Sequence, residues 1–218
     1  MSKNALAQVL YRDGFEQRHV VVPGTQKYYT YNKVKRFMDV ICCLIGVLLA
    51  MPILIITSIA IKLDSKGPII FKQDRVGLHG KIISIYKFRS MIVGSDNGQW
   101  AKEGDPRVTR VGRMIRKTRI DEIPQLFNVL EGDLSLIGPR PEVPKLTTKF
   151  QDEIPRFVER LRVMPGITGW AQVNGGYDVT PKEKLKYDLE YIKKRSLWMD
   201  VKILIKTVKV VLTGSGAR

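Results

Sequence analysis

From Val40 to Ile61 the chain carries 22 consecutive residues without a charge, and no other stretch limits the fold as strongly. As a straight helix rising about 1.5 Å per residue, such a run reaches across a hydrocarbon core of about 30 Å. Its flanks are both basic, with Lys33, Lys35 and Arg36 before it and Lys62 and Lys66 after it. Positive charge is retained on the cytoplasmic side, so a spanning helix would leave one flank misplaced. Met51-Pro52 resolves the conflict, because proline removes a backbone hydrogen bond near the middle and leaves halves of about 11 residues, each roughly 16 Å long. The expectation is a broken, re-entrant helix that enters and leaves by one face, in preference to a plain spanning helix or a buried soluble one. Asp39 at its entrance is placed to cap it or to pair with a nearby Lys or Arg.

The rest of the chain divides around that run. Residues 1–32 form a polar, mixed extension with Tyr28, Tyr29 and Tyr31 near its end; no apolar segment follows the initiator, so it is not a cleavable signal peptide. Residues 33–66 are the membrane helix-hairpin, and residues 67–218 a cytosolic domain of ordinary size. Cys42 and Cys43 are adjacent and lie inside the apolar run, which excludes a structural disulfide or a cysteine metal site and leaves them as small hydrophobes. A net charge of +16 and a pI near 9.9 demand an anionic partner: nucleic acid, an acidic membrane surface or a phosphorylated substrate.

Residues 68–88 read as a β-hairpin, PIIFKQDRV and KIISIYKF joined by GLHG, with His79 as a turn residue and Arg75, Lys87 and Arg89 adding cations. Ser90 to Gly104 turns polar and reads as a loop over the site. Between Lys102 and Arg119, Val108, Val111 and Ile115 recur at i, i+3 and i+7, as do Arg110, Arg113 and Lys117, which describes an amphipathic helix with a cationic face. Pro144 to Arg162 is helix-like, and Met164 to Gly176 is turn-rich. Thr180, Pro181 and Glu183 compose a capping box at a helix start. The last helix, Leu197 to Leu212, sets Leu197, Val201, Leu204, Ile205 and Val208 against Lys202, Lys206 and Lys209, a pattern that fits a core helix with a solvated face or an interfacial helix addressing anionic lipid. The expected fold is therefore α+β, mostly helical, with a small β-hairpin and amphipathic interfacial helices beside the membrane segment.

All of this surrounds KTRIDEIPQLFNVLEGDLSLIGPRP, Lys117 to Pro141. Ile123, Leu126, Phe127 and Leu130 form the stripe of a helix of about ten residues. Pro124 suits its first turn, Gly132 its exit, and Asp121 the N-cap. Read alone, Asp121 and Glu122 are ordinary helix-start acids. The cationic segment upstream and Arg140 in the rigid Gly138-Pro139-Arg140-Pro141 turn change that reading. Two carboxylates ringed by arginines suggest a site for a phosphoryl group.

The broken apolar helix, DRVGLHGKIISIYKFRSM, TRIDEIPQLFNVLEGDLSLIGPRP, PGITGWAQVNG and SLWMDVKIL occur in an order that resembles the bacterial sugar transferases, the small monotopic phosphoglycosyl transferases of capsule, exopolysaccharide and glycoprotein assembly. The resemblance covers about residues 33–212. It implies transfer of a sugar 1-phosphate from a UDP-sugar to a polyprenol phosphate at the cytoplasmic face of the inner membrane, with Mg²⁺ and release of UMP. It also implies that Asp121 is the nucleophile of a covalent phosphosugar intermediate, that Glu122 is its partner acid, and that both serve the metal. Arg116 and Arg140 match family arginines near phosphate, and Lys87 matches the YKF motif; Arg75 joins them as a candidate phosphate ligand. Met164 and Gly176 depart from the basic residues common at those positions.

Two other classes compete with this reading. The charge alone allows a nucleic-acid-binding protein, yet there is no helix-turn-helix, zinc-ligand spacing or aromatic RNA-binding pattern, and no nucleic acid is expected as partner. A non-catalytic basic membrane scaffold, recruiting other glycan-assembly enzymes, predicts no use for the acid pair. No Walker A loop or DxD motif is present.

Overall fold

The computed structural model describes residues 25–95, 104–154, 156–175 and 179–213. Expectations placed on residues 1–24, on 96–103 of the polar loop and on Gly176 lie outside them. The described residues are mostly helical, with two small two-stranded sheets rather than one.

The apolar run belongs to α1 (Thr25–Asp64), a 40-residue helix that holds Pro52 within it and continues through that residue. Its start lies well ahead of the basic flank, with Thr25 to Asn32 in its first turns. Only 11% of its most apolar window is buried, far less than a soluble core helix requires, and it is long and apolar enough to cross a membrane. One face of α1 packs on the domain through Asp39, Cys43, Thr57 and Ile61, while Leu48, Leu49, Ile56 and Leu63 face outward.

The polar stretch after α1 leads into the expected hairpin, β1 (Ile70–Val76) and β2 (Ile82–Phe88), antiparallel in a register that sets Phe71 against Lys87. His79 adopts a left-handed conformation in the turn, the role expected of it. Side chains alternate along β2, so Ile83 and Ile85 point into a core with Cys43, Val129 and Leu134, and Lys87 continues that inward row. Phe88 points the other way, into a second core with Ile61 and Ile115.

The amphipathic helix forms as α2 (Arg110–Lys117), capped by Thr109, whose hydroxyl accepts the Gly112 N–H. Gly112 lets α2 lie directly on the chain leaving the hairpin, since a Cβ there would sit 2.1 Å from the Ser90 carbonyl oxygen. The N–H of Val111 is capped by the Asp64 carboxylate, which ties the end of α1 to the start of α2.

The helix expected after the acid pair is shorter than its stripe suggested. Arg119 takes a left-handed conformation (φ 57°) that ends α2 and starts a separate 3-10 turn, Ile120–Glu122, which carries both acids. The regular helix α3 (Gln125–Glu131) follows Pro124 and closes at Gly132. Asn128 of α3, fully buried, accepts the Tyr86 N–H at 2.9 Å and donates to the Ser84 carbonyl at 2.8 Å. This amide stands in for a neighbouring strand along β2. Removing it would strand two backbone groups at about 1–3 kcal/mol each.

Beyond α3, β3 (Ser135–Ile137) pairs in parallel with β4 (Gly166–Thr168), a sheet the sequence reading did not contain. The helix-like segment between them splits into α4 (Pro144–Glu153) and a 3-10 turn, Phe157–Arg162. Ile154, which precedes a proline, is extended, as sterics between proline and the preceding residue require. After β4 come α5 (Trp170–Gly175), α6 (Pro181–Lys194) with the full capping box at Thr180, and α7 (Leu197–Thr213). A third core of Ile137, Tyr191, Met199 and Ile203 joins β3, α6 and α7.

Candidate active site

Five elements converge on the acid pair. The 3-10 turn supplies Asp121 and Glu122, β2 supplies Lys87, the last turn of α2 supplies Arg116, and the turn after β3 supplies Arg140. β4 offers the Ile167 carbonyl. Neither acid makes the side-chain cap bond expected of a helix-start carboxylate, because Arg119 and Pro124 occupy the cap positions of the two turns. The ordinary explanation of the pair as helix caps is thereby removed.

The two acids are held differently. Glu122 Oε1 accepts from Lys87 Nζ at 2.7 Å and from Arg140 Nη2. Burial pushes its carboxyl up, but Arg140 and Lys87 outweigh burial and hold it well below the ordinary range. Glu122 is a fixed anion. Asp121 has the opposite balance: burial dominates and raises it to about 6, Lys87, Arg116 and Arg140 pull it down, and Glu122 pushes it up. An acid-base contrast of this kind, two titratable groups driven apart by their surroundings, marks a site of chemistry more often than one of packing.

Lys87 lies at the end of the inward row of β2, where burial lowers its ammonium and Glu122 raises it. Arg140 spends Nη1 on the Ile167 carbonyl at 3.1 Å and Nη2 on Glu122, leaving the other donors of its five-donor fork for an anion. Arg116 lies close enough to Asp121 to act on its charge. Arg75 sits behind Arg140, donating to the Pro141 carbonyl at 3.1 Å and to Gln73. Met164 presents its backbone carbonyl to Gly138, where a Cβ would come within 2.3 Å.

A metal-ligand cluster of three or more His, Cys, Asp or Glu side chains does not occur among the described residues. The donor set still fits Mg²⁺, which takes one or two carboxylates together with substrate phosphate oxygens rather than a cage built only of protein. Asp121 is the better placed ligand, since one Glu122 oxygen is already committed to two cations.

Sequence reading missed the carbonyl of Ile167 and a charge lattice behind the Arg140 turn. Glu142, Arg160 and Asp188 are buried there, with Lys184 joined to Glu142. No spacing in the sequence announces that lattice, because its members come from separate elements.

Fold and site together define a protein with one long apolar helix and a domain that holds a half-buried acid pair amid cations suited to phosphate. A family model described as bacterial sugar transferase matches residues 30–214, and the chain belongs to that family. It is 50% identical over 193 residues to the UDP-N-acetylgalactosamine-undecaprenyl-phosphate N-acetylgalactosaminephosphotransferase of Aeromonas hydrophila, an alignment covering 86% of this chain and 46% of the relative. It is 41% identical over 197 residues to the UDP-glucose:undecaprenyl-phosphate glucose-1-phosphate transferase of Xanthomonas campestris pv. campestris, covering 87% of this chain and 41% of that one. The undecaprenyl-phosphate galactose phosphotransferase of Salmonella typhimurium is 41% identical over 201 residues, with 84% and 41% covered. The chain thus spans less than half the length of these relatives, and their names carry three different sugars.

Proposed function

We propose that this protein transfers a sugar 1-phosphate from a UDP-sugar to undecaprenyl phosphate, the first membrane step of capsule, exopolysaccharide or related glycan assembly. The observation that carries the reading is the unequal state of the acid pair, Glu122 neutralised by Lys87 and Arg140 and Asp121 left without such a partner. A carboxylate so placed has an oxygen available as nucleophile.

In the first step, an Asp121 Oδ forms a bond to the phosphorus that bears the sugar. The bond from that phosphorus to the bridging oxygen breaks, and UMP leaves with the electron pair. In the second, an oxygen of the polyprenol phosphate attacks the same phosphorus and expels Asp121, giving the polyprenyl diphosphate sugar. Arg140 and Arg116 address the charge spread over the transferring phosphoryl oxygens, Lys87 holds Glu122 in place, and Arg75 adds positive charge behind Arg140. Asp121 and Glu122 would hold Mg²⁺, which when bound would supply charge neutralisation at the site. Incubating the protein and undecaprenyl phosphate with a panel of UDP-sugars is expected to release UMP with at least one of them; silence across the panel would sink the proposal.

The re-entrant form of α1 belongs to the same reading, with the protein monotopic on the bacterial inner membrane and its domain facing the cytoplasm. Arg36 donates to the Leu130 carbonyl of α3 at 2.9 Å, and Asp64 caps α2, so both ends of the apolar helix meet one domain. A helix that crossed the bilayer would part those ends. Pro52 leaves the Leu48 carbonyl without its backbone donor, which lowers the cost of a bend there. In the same reading α7 is interfacial, its exposed apolar face with Trp198, Ile205 and Val208 entering an anionic membrane surface. With Cys42 and Cys43 replaced by alanine, single cysteines at Lys3 and Lys66 are both expected to resist an impermeant maleimide in intact cells and to react after lysis. Labelling of only the first in intact cells means a spanning helix.

A further inference from the structure

Behind Arg140 lies a group of charged side chains of which the transfer chemistry uses only Arg75. Arg160, on the 3-10 turn after α4, is 3% exposed, and Asp188, on α6, is 1% exposed. Their ion pair closes at 2.7 Å through Arg160 Nη2, the same nitrogen that donates to the Arg140 carbonyl at 2.8 Å. Arg160 Nε adds a second bond to Asp188 at 2.8 Å, and the guanidinium lies over the Phe157 ring. Glu142 receives Lys184 of α6 directly, with Arg160 at 3.7 Å and Arg75 at 4.0 Å. The carbonyls of Arg140, Pro141 and Glu142 are thus taken in turn by Arg160, Arg75 and the Val76 N–H.

Such a lattice is an expensive way to gain stability. Burying three charged groups and half-burying two more, Arg75 and Lys184, incurs desolvation that their mutual attraction only partly offsets, and apolar packing of equal volume would serve a merely structural purpose as well or better. What the lattice does, and apolar packing could not, is bind two successive carbonyls, those of Arg140 and Pro141, and so, beside the Val76 N–H on the third, set the backbone from which the Arg140 guanidinium projects.

We propose that Arg160, with Asp188 and Glu142 holding it, is a positioning residue that fixes Arg140 as the anion ligand of the site. Lysine in place of Arg160 keeps the charge but has one ammonium where the guanidinium makes directed bonds to both Asp188 and the Arg140 carbonyl. The inference rests on the proposed phosphoryl site, and its test is chosen to separate the two.

The experiment is a double-mutant cycle between Arg160→Lys and Arg140→Ala, read as turnover per folded molecule and, independently of turnover, as inorganic pyrophosphate affinity by calorimetry. Arg160→Lys alone is expected to lower turnover about tenfold, a loss in keeping with slight misplacement of a ligand, and to weaken pyrophosphate binding several-fold. In the Arg140→Ala background, both effects are expected to disappear. Equal losses in the two backgrounds, or a lowered unfolding midpoint with unchanged turnover and affinity, would overturn the proposal. Asp188→Asn, which preserves volume, repeats the cycle if the lysine variant does not fold. Wild-type protein that binds pyrophosphate in the expected pattern but releases no UMP would defeat the transfer reading and leave the positioning role standing.

Discussion

Asp121→Asn is expected to abolish transfer while making the protein more stable at neutral pH. An amide offers neither the nucleophilic oxygen nor the charge needed beside a metal, so loss of detectable product is expected rather than a partial fall. The gain in stability follows from burial. The folded-state carboxyl is raised from 3.8 to about 6, so the folded chain binds the proton more tightly than the unfolded chain does. Stability is then lost as pH rises between those two values, and the deficit is complete above the higher one. Asparagine carries no such penalty. Allowing for partial exposure, the variant should exceed the wild type by on the order of 1–2 kcal/mol near neutral pH, with the difference fading at about pH 4. Thermal melts across pH measure this. The chemistry is checked by incubating wild type with UDP-sugar labelled in the sugar and no lipid acceptor, which should leave label on the protein and release UMP. An active Asp121→Asn enzyme, or UMP release that always requires the polyprenol phosphate, rules out the covalent route. Glu122→Gln differs, because its partners Lys87 and Arg140 remain and slight activity is expected.

Much of the frame was legible because single residues declare it. Val40 to Ile61 reads as an apolar helix, though it is continuous through Pro52 where a break was expected, GLHG forms the tight turn, and Thr180-Pro181 with Glu183 reappears as the capping box of α6. The errors have specific causes. The stripe from Ile123 to Leu130 suggested a helix beginning at the acids, but Arg119 adopts a left-handed conformation that no residue pattern signals for arginine, at a cost of about 1 kcal/mol. The β3 and β4 strands are three residues each, too short for an alternation to be read. They exist because Gly138 permits close approach of two backbones. The helix-like reading of Pro144 to Arg162 overlooked the proline after Ile154.

For the site, sequence placed the acids and their cations near one another but could not assign partners. Lys87 lies 35 residues from Glu122 and Arg140 lies 18 away, and only the inward row of β2 and the turn after β3 bring both to the same oxygen. That convergence changes the meaning of the pair. With Glu122 held by two cations, Asp121 becomes the acid whose charge is still to be satisfied, the role that the proposed function gives to a metal arriving with the substrate phosphate.

Arg140→Ala is expected to keep the fold and to reduce turnover roughly 100-fold, the usual loss when one donor to developing charge is removed. The effect comes from two directions. The transferring phosphoryl loses a fixed guanidinium, and Glu122 loses the stronger of its two cations, so that burial carries its carboxyl upward and weakens its hold on Lys87. Arg140→Lys should recover part of the second loss and little of the first, since an ammonium cannot reach the Ile167 carbonyl, Glu122 and an anion in one plane. Arg116→Ala removes a cation that acts on Asp121 and on the phosphoryl group, and should also slow turnover, by less than the Arg140 change and without disturbing Glu122. Steady-state rates for the three variants, taken with unfolding midpoints, decide the matter. Folded Arg140→Ala protein with an unchanged rate would return the arginine to a structural role and remove the anion ligand on which the proposed site depends.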